Sequence, residues 1–299
     1  MIGSMDSPPF SPEAFSGVVR IGDEVWAFGY ADRAHEVPNT VDTQFAIASG
    51  VKGFTALVAV STLPLALRVR ELLGEDLPLV DDRVTVEHLL RHTSGIGDYL
   101  DEDVHGDLEE YLMPVPVHEL ATTSAYLTVL EGHPQKFTPG ARFSYSNSGF
   151  VVLALSAERA SGRSFYELVD ELICQPAGMR QTAFLRSDSL PGTAAIGYLS
   201  DGRTNVFHLP VRGSGDGGIY TSAADMARFW EWFAQHEWVG RMTTGERYGL
   251  GFWLDPLRLE GFDAGVWFES VRGRYTALSN NPSTARPVAR ALQQLETGQ

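Results

Sequence analysis

Hydrophobic and polar positions alternate first over "FSGVVRIGDEVWAFGYADR". Two β-rich runs flank Gly22-Asp23, which predicts a hairpin at the start of the chain. From Ser49 to Leu63 the residues are mostly small or apolar, over a length that suits a helix better than a strand. A helix apolar on most sides belongs in a core, and Pro64 ends this one. Residues 65–140 are mixed, with short helices, an acidic stretch and loops marked by Pro and Gly. "SNSGFVVLALSAERASG" predicts a helix closed by Gly162. "SFYELVDELICQPAGM" predicts another, opened by a capping box of Ser164 and Glu167, and "SAADMARFWEWFAQ" a third. Strand patterns return in "RYGLGFWLD", "AGVWFESV" and "RYTALSN", and a last helix is expected over about 283–295.

Strands at both ends and helices between them predict an α/β (α+β) fold. One antiparallel sheet is built from both termini and flanked by the first and last helices. Residues 1–63 and 205–299 would form this sheet domain, and 64–204 an inserted, mainly helical domain. No internal repeat or low-complexity segment interrupts this plan.

Composition narrows the function. The formal net charge of −15 over 299 residues disfavours nucleic acid and anionic membrane surfaces as partners. The single cysteine, Cys174, allows no internal disulfide and no Cys-based metal site, and reads as a small buried hydrophobe. The N-terminal "MIGSMDSPPFSPEAF" has no signal-peptide pattern, and no window reaches a membrane-spanning length, so a cytoplasmic chain is expected.

The apolar run "FAIASGVKGF" carries just two polar side chains, Ser49 and Lys52. On a helix, i and i+3 share a face. A lysine in apolar surroundings loses part of the stability of its charged form, and an amine beside a hydroxyl is a general base beside a nucleophile. The plainer alternative is a capping serine and a snorkelling lysine. A second segment, "FTPGARFSYSNSGFVVL", places Tyr145 and Asn147 two apart before a helix. A phenol whose pKa is lowered by a neighbouring ammonium can shuttle a proton. A carboxamide can hold a substrate and orient the lysine. Here too a plainer reading stands: a tyrosine and a helix cap, Asn147 or Ser146.

"FAIASGVKGFTAL", "VTVEHLLRHTSGIGDY", "FTPGARFSYSNSGFVVLAL", "QPAGMRQTAF" and "GSGDGGIYTSAADMARF" occur in this order. Together they resemble the serine β-lactamase-like family, which includes class C β-lactamases, D,D-peptidases, D-aminopeptidases and esterases. The resemblance implies a β-lactamase/transpeptidase-like fold, with the site between a sheet domain and a helical domain. It implies Ser49 as acylated nucleophile, Lys52 as base or relay, Tyr145 as second base and Asn147 as partner of substrate and lysine. Which of Lys52 and Tyr145 takes the first proton is left open.

The chain departs from the family pattern in three places. In "LEGFDAGVWF", Phe262 stands where a basic or imidazole residue is expected, followed by Asp263, with Gly265 or its neighbour as oxyanion donor. The segments "STLPLALRVRELLG" and "QHEWVGRMTTGERYGLGF" are shorter than usual. The expectation is therefore a cofactor-free serine hydrolase with a small-molecule ester or amide substrate, esterase first, with the oligomeric state open. A β-lactamase, D,D-peptidase or D-aminopeptidase is the alternative, as is a catalytically impaired binding module.

Weaker patterns were weighed against this reading. "DEDVHGDLEEYL" half-matches a calcium loop through Asp101, Asp103 and Gly106, but Leu112 occupies the twelfth position, and a solvated acidic face is expected instead. His88 and His92 have zinc-pair spacing without H-E-x-x-H, and the resemblance makes His92 part of a structural turn. No G-x-S-x-G elbow is present.

Overall fold

A computed structural model describes residues 7–10, 14–102, 104 and 108–297. Asp103 and Gly106 of the half-matched calcium loop lie outside the described residues. β1 (Gly17–Ile21) and β2 (Glu24–Phe28) form the expected hairpin, turning through Gly22 at φ +57°. Two short ribbons follow, β3 (Tyr30–Asp32) with β4 (Val37–Pro38), and β5 (Phe45–Ala46) with the distant β6 (Tyr220–Thr221). The C-terminal part supplies β7 (Trp253–Leu254), β8 (Leu257–Asp263), β9 (Val266–Val271) and β10 (Tyr275–Ser279).

The main sheet has the order β2-β1-β10-β9-β8-β7, with every neighbouring pair antiparallel. Both ends of the chain build it. Alternation along the strands gives it two apolar faces. Val18, Phe268 and Leu278 point to the larger core, while Val19, Val271 and Ala277 point to a smaller one. The smaller core is covered by Val288 and Leu292 of α10 (Arg286–Thr297), near the last helix expected from sequence.

The larger core holds α1 (Lys52–Thr62), buried at every position from Lys52 to Val60. The helix is preceded by one 3₁₀ turn, Ala48–Val51, so the nucleophile candidate sits just ahead of the α-helix. The middle of the chain contributes α2 (Arg70–Leu73), α3 (Val86–Leu90), α4 (Leu127–Leu130), α5 (Asn147–Ser161), α6 (Phe165–Val169) and α7 (Gln175–Ala177). α5 ends at Gly162 in the left-handed conformation, as expected. The Ser164–Glu167 capping box forms, but the helix it opens widens into a π turn over Asp170–Cys174. Pro176 has no N–H for the carbonyl one turn back, and the wide turn absorbs that loss. α8 (Ala223–Phe233) stacks Phe229 on Phe54 of α1 at 4.7 Å, and α9 (Val239–Met242) follows.

"RYGLGFWLD" contributes only Trp253 and Leu254 as strand, because Gly251 turns the chain at φ +81°. The longest strand, β8, was expected only through the family resemblance. Its apolar alternation is broken by Gly261, and the structure shows why a glycine is there. A Cβ on Gly261 would lie 2.2 Å from the Ile47 carbonyl oxygen and 2.8 Å from the Ser49 nitrogen. Gly53 makes a similar close approach to Leu259. The turn leading into α1 thus lies almost backbone to backbone on β8, and α1 itself packs its Gly53 on the Leu259 side chain.

Gly261→Ala must push β8 and the nucleophile turn apart. The expected cost is about 1–3 kcal/mol, and any activity that depends on Ser49 should fall with it, read by thermal unfolding and an activity assay. A variant with unchanged melting temperature and activity would contradict this packing.

Candidate active site

Residue Ala48, just before Ser49, has φ +43°, a sparsely populated conformation for a residue with a Cβ. This turn brings Ser49 to the start of the helix, where first-turn N–H groups have no intrahelical acceptor. Side chains three apart eclipse in a 3₁₀ turn, so Lys52 comes directly beside Ser49. The Lys52 amine, 2% exposed, donates to Ser49 Oγ at 2.8 Å, to Asn147 Oδ1 at 2.8 Å and to the Asp216 carbonyl oxygen at 2.9 Å. None of these acceptors is a carboxylate. Burial pulls the pKa of Lys52 below its ordinary value, opposed by the more remote charges of Asp216, Glu102, Asp98 and Asp263.

Asn147 is the first residue of α5, and Ser146 caps that helix by accepting from the Gly149 N–H at 3.1 Å. Asp98 fixes the helix start, accepting from the N–H groups of Asn147 at 2.7 Å and Ser148 at 3.0 Å. The Asn147 Nδ2 donates to the Leu100 carbonyl at 2.9 Å and to Glu102 at 3.2 Å, which turns its Oδ1 toward Lys52. Tyr145 stacks on His92 at 4.4 Å and lies parallel to Trp253 at 6.3 Å, with the Lys52 amine 4.9 Å from its ring centre. His92 itself accepts from the Ser146 N–H through Nδ1 at 3.0 Å.

One expectation needs correction. A lowered phenol pKa was expected for Tyr145, but burial pushes it well above its ordinary value, although its contact with Ser49 works the other way. The hydroxyl therefore keeps its proton at neutral pH.

The third segment also differs from the expectation. Gly265 lies in the turn between β8 and β9, packed against the Tyr198 amide and Asn205, while Gly261 is the glycine against the nucleophile turn. The direction of each β8 amide follows from strand alternation. The Leu257 carbonyl faces β9, accepting from the Arg272 N–H at 3.2 Å, and Asp263 pairs with Val266 across the two-residue turn. Odd-numbered residues of β8 thus direct their amides to β9, and the Phe262 amide faces the open edge. The Phe262 side chain is 54% exposed and supplies no cation. Leu259, two residues before Gly261, is buried against Gly53. Arg272 and Arg274 line a separate cavity with Arg20 and Trp230 at the far end of the strands, so neither replaces the missing charge.

Ser49 sits between two lobes of a cleft. One is lined by Asn147, Glu102, Asp216 and Asp263, the other by Tyr145, Trp253 and the exposed Arg247. Sequence reasoning missed Asp98, Glu102 and Asp216 as site residues. Asp216 had a visible signal, as the one charged residue in the glycine run "GSGDGG".

Comparison with known proteins agrees with this geometry. The sequence model of the beta-lactamase family matches residues 11–297. This chain belongs to the beta-lactamase family. The D-aminopeptidase of Brucella anthropi is 33% identical over 235 residues, covering 74% of this chain and 42% of that protein. Esterase EstB of Burkholderia gladioli is 30% identical over 258 residues, covering 71% and 62%. The crystal structure of a penicillin binding protein from Bacillus halodurans superposes with a TM-score of 0.84 at 33% identity, over 94% of this chain and 97% of that one. The chain spans 42% to 63% of the length of these and other curated relatives. No helix of the described residues is long and apolar enough to cross a membrane.

Within this family fold, Asp263 carries an unusual load. Its carboxyl accepts from the Ala264 N–H at 2.8 Å, yet burial pushes its pKa up to about 7 from 3.8. The folded state holds this proton to about pH 7, while an unfolded aspartate loses it near 4. The stability present below about pH 4 is therefore lost as pH rises through about 7. Asp263→Asn should gain roughly 1–3 kcal/mol over the parent at pH 8 and little at pH 4, measured by urea unfolding at both values. A gain independent of pH would contradict the assignment.

Proposed function

We propose that this chain is a serine hydrolase that cleaves carboxylic esters, and secondarily amides, through an acyl-enzyme on Ser49. The observation that carries this reading is the Lys52 amine, desolvated and held 2.8 Å from Ser49 Oγ by Asn147 and Asp216. Burial lowers the pKa of Lys52 and raises that of Tyr145, which favours Lys52 as the group that takes the first proton. Ser49 Oγ then adds to the substrate carbonyl. In this reading the N–H groups of Ser49 and Phe262 receive the oxyanion. As the tetrahedral intermediate collapses, the leaving group takes a proton from the Lys52 ammonium, directly or through the Tyr145 hydroxyl. Water enters by the same route in reverse and releases the acid, with Ser49 Oγ recovering its proton.

Esters rank ahead of β-lactams and stem peptides for an electrostatic reason. Both of those substrates carry a carboxylate. Among the described residues no lysine or arginine lines the Asn147 lobe, and Arg247 shares the Tyr145 lobe with three glutamates, Glu102, Glu260 and Glu269. A carboxylate within roughly 5 Å of Asp263 meets repulsion of about 1–3 kcal/mol. The D-aminopeptidase relatives support an amide substrate as the second reading.

A fluorophosphonate should give a one-to-one adduct on Ser49 by mass spectrometry. Ser49→Ala should remove all but a small fraction of ester hydrolysis with the fold intact. Retention of more than about a tenth of parent activity would sink the nucleophile assignment. Lys52→Ala and Tyr145→Phe should each lower kcat more than they raise KM. Short neutral p-nitrophenyl esters should show higher kcat/KM than penicillins or cephalosporins. Efficient β-lactam turnover exceeding that of the esters would instead promote the β-lactamase reading.

A further inference from the structure

At the end of the sheet remote from Ser49, the β1–β2 turn, the β9–β10 turn and α8 enclose a cavity of about 310 Å³. Arg20, Arg272 and Arg274 line it, and Glu231 is the one carboxylate among the described lining residues. Three guanidiniums against one carboxylate make a local excess of positive charge in a chain of net charge −15. Arg272 and Arg274 flank Gly273, which turns the chain at φ +69°, and neither forms an ion pair with a described residue. Arg20 meets Asp23 at 3.5 Å, but that carboxylate is fully exposed. A contact so long and so wet holds the guanidinium weakly.

The floor of the cavity gives a second, independent sign. Strand pairing sets Arg20 opposite Thr276 and Thr276 opposite Ser270, so the three side chains form one row on the α8 face of the sheet. Ser270 is fully buried and Thr276 is 4% exposed. The Trp230 indole N–H donates to Ser270 Oγ at 2.8 Å, and Ser270 Oγ lies 2.7 Å from Thr276 Oγ1. Three donor protons thus share two hydrogen bonds. Whichever hydroxyl donates within the pair, the other keeps a proton with no acceptor among the described residues. With Ser270 donating, the unused proton is that of Thr276, which lines the cavity.

We propose that this cavity binds a phosphoryl dianion, held by Arg20, Arg272, Arg274 and the Thr276 hydroxyl. The site is separate from the Ser49 cleft and does not depend on the acyl-enzyme reading. Apart from the exposed Glu231, the charged groups of the lining are cations with fixed donor forks. A carboxylate offers two oxygens. A tetrahedral phosphoryl group presents oxygen on every side and can meet three arginines and a hydroxyl together. A cation would be repelled, and an apolar group would leave the buried hydroxyl proton unpaired. The net charge of −15 favours a small soluble carrier of this group over an anionic membrane.

Calorimetry on the parent chain at pH 8 and low ionic strength tests the site. Inorganic phosphate and glycerol phosphate should bind one to one, about tenfold or more tighter than acetate at matched ionic strength. Arg272→Gln and Arg274→Gln change exposed turn positions and should leave the melting temperature unchanged. Each should weaken phosphate binding about fivefold or more, and Thr276→Val about threefold or more. Phosphate binding no tighter than acetate would overturn the proposal, as would binding undiminished when both turn arginines are replaced.

Co-flotation with vesicles of phosphatidylcholine and phosphatidic acid separates the sources of the group. Binding of the two soluble phosphates without recruitment to vesicles upholds the site and puts the phosphoryl group on a small molecule. Recruitment that is lost when Arg272 and Arg274 are both replaced upholds the same site and puts the group on a lipid.

Discussion

A lysine amine taken almost wholly out of water is the constraint on which the rest of this molecule depends. Desolvating an ammonium is tolerable only when its donors are satisfied, and Lys52 meets three oxygens at 2.8–2.9 Å. Each acceptor comes from a different part of the chain. Ser49 is local, Asn147 opens α5, and Asp216 belongs to the glycine-rich run ahead of β6. Moving any one of the three leaves a buried donor unpaired, so the amine ties the nucleophile turn, the helical region and the sheet-side loop into one geometry. The acceptors are neutral, and the carboxylates around the site act only at longer range. A direct ion pair would hold the proton on nitrogen more firmly.

The same constraint explains the small residues near Ser49. For the amine to reach Asn147 and Asp216 while Ser49 stays at the helix start, α1 must lie close on the sheet. Gly53 gives way to Leu259, and Gly261 gives way to the carbonyl of Ile47. The approach puts the Phe262 end of β8 and the turn of Ser49 in the wall of one cleft. Packing and chemistry are thus set by one backbone contact, and Ala48 at φ +43° is part of its cost.

What was legible in the sequence was what depends on local spacing. The hairpin at Gly22, the end of α5 at Gly162, the capping box at Ser164 and the Ser49–Lys52 pair all involve residues within a few positions of each other. Tyr145 and Asn147 were legible because both stand at one helix start. The structure brings all four together around the Lys52 amine. What escaped depends on approach between distant segments. Gly261 reads as a defect in a strand until Ile47 is seen above it, and Gly265 seemed the better oxyanion candidate because strand register is invisible in one chain. The direction of the Tyr145 pKa was misjudged for a related reason. The neighbouring ammonium was visible as a residue type, but the burial that outweighs it was not.

Acidity on the pocket side follows the same logic. Lys52 is pulled down by burial and pushed up by Asp216, Glu102, Asp98 and Asp263, so the carboxylates limit how far the amine departs from its ordinary range. They serve different structural ends. Asp98 is consumed in fixing the start of α5, and Asp216 accepts the Tyr99 hydroxyl. Asp263 has no comparable duty within the fold: its carboxyl bonds the next backbone amide, at the end of β8. A partly buried carboxyl that costs stability above neutral pH and anchors no helix or turn beyond its own marks this wall of the pocket as a candidate contact for a ligand. The carboxylates of this lobe thus lie near the lysine but not on it, and bias its charge without replacing its three neutral acceptors.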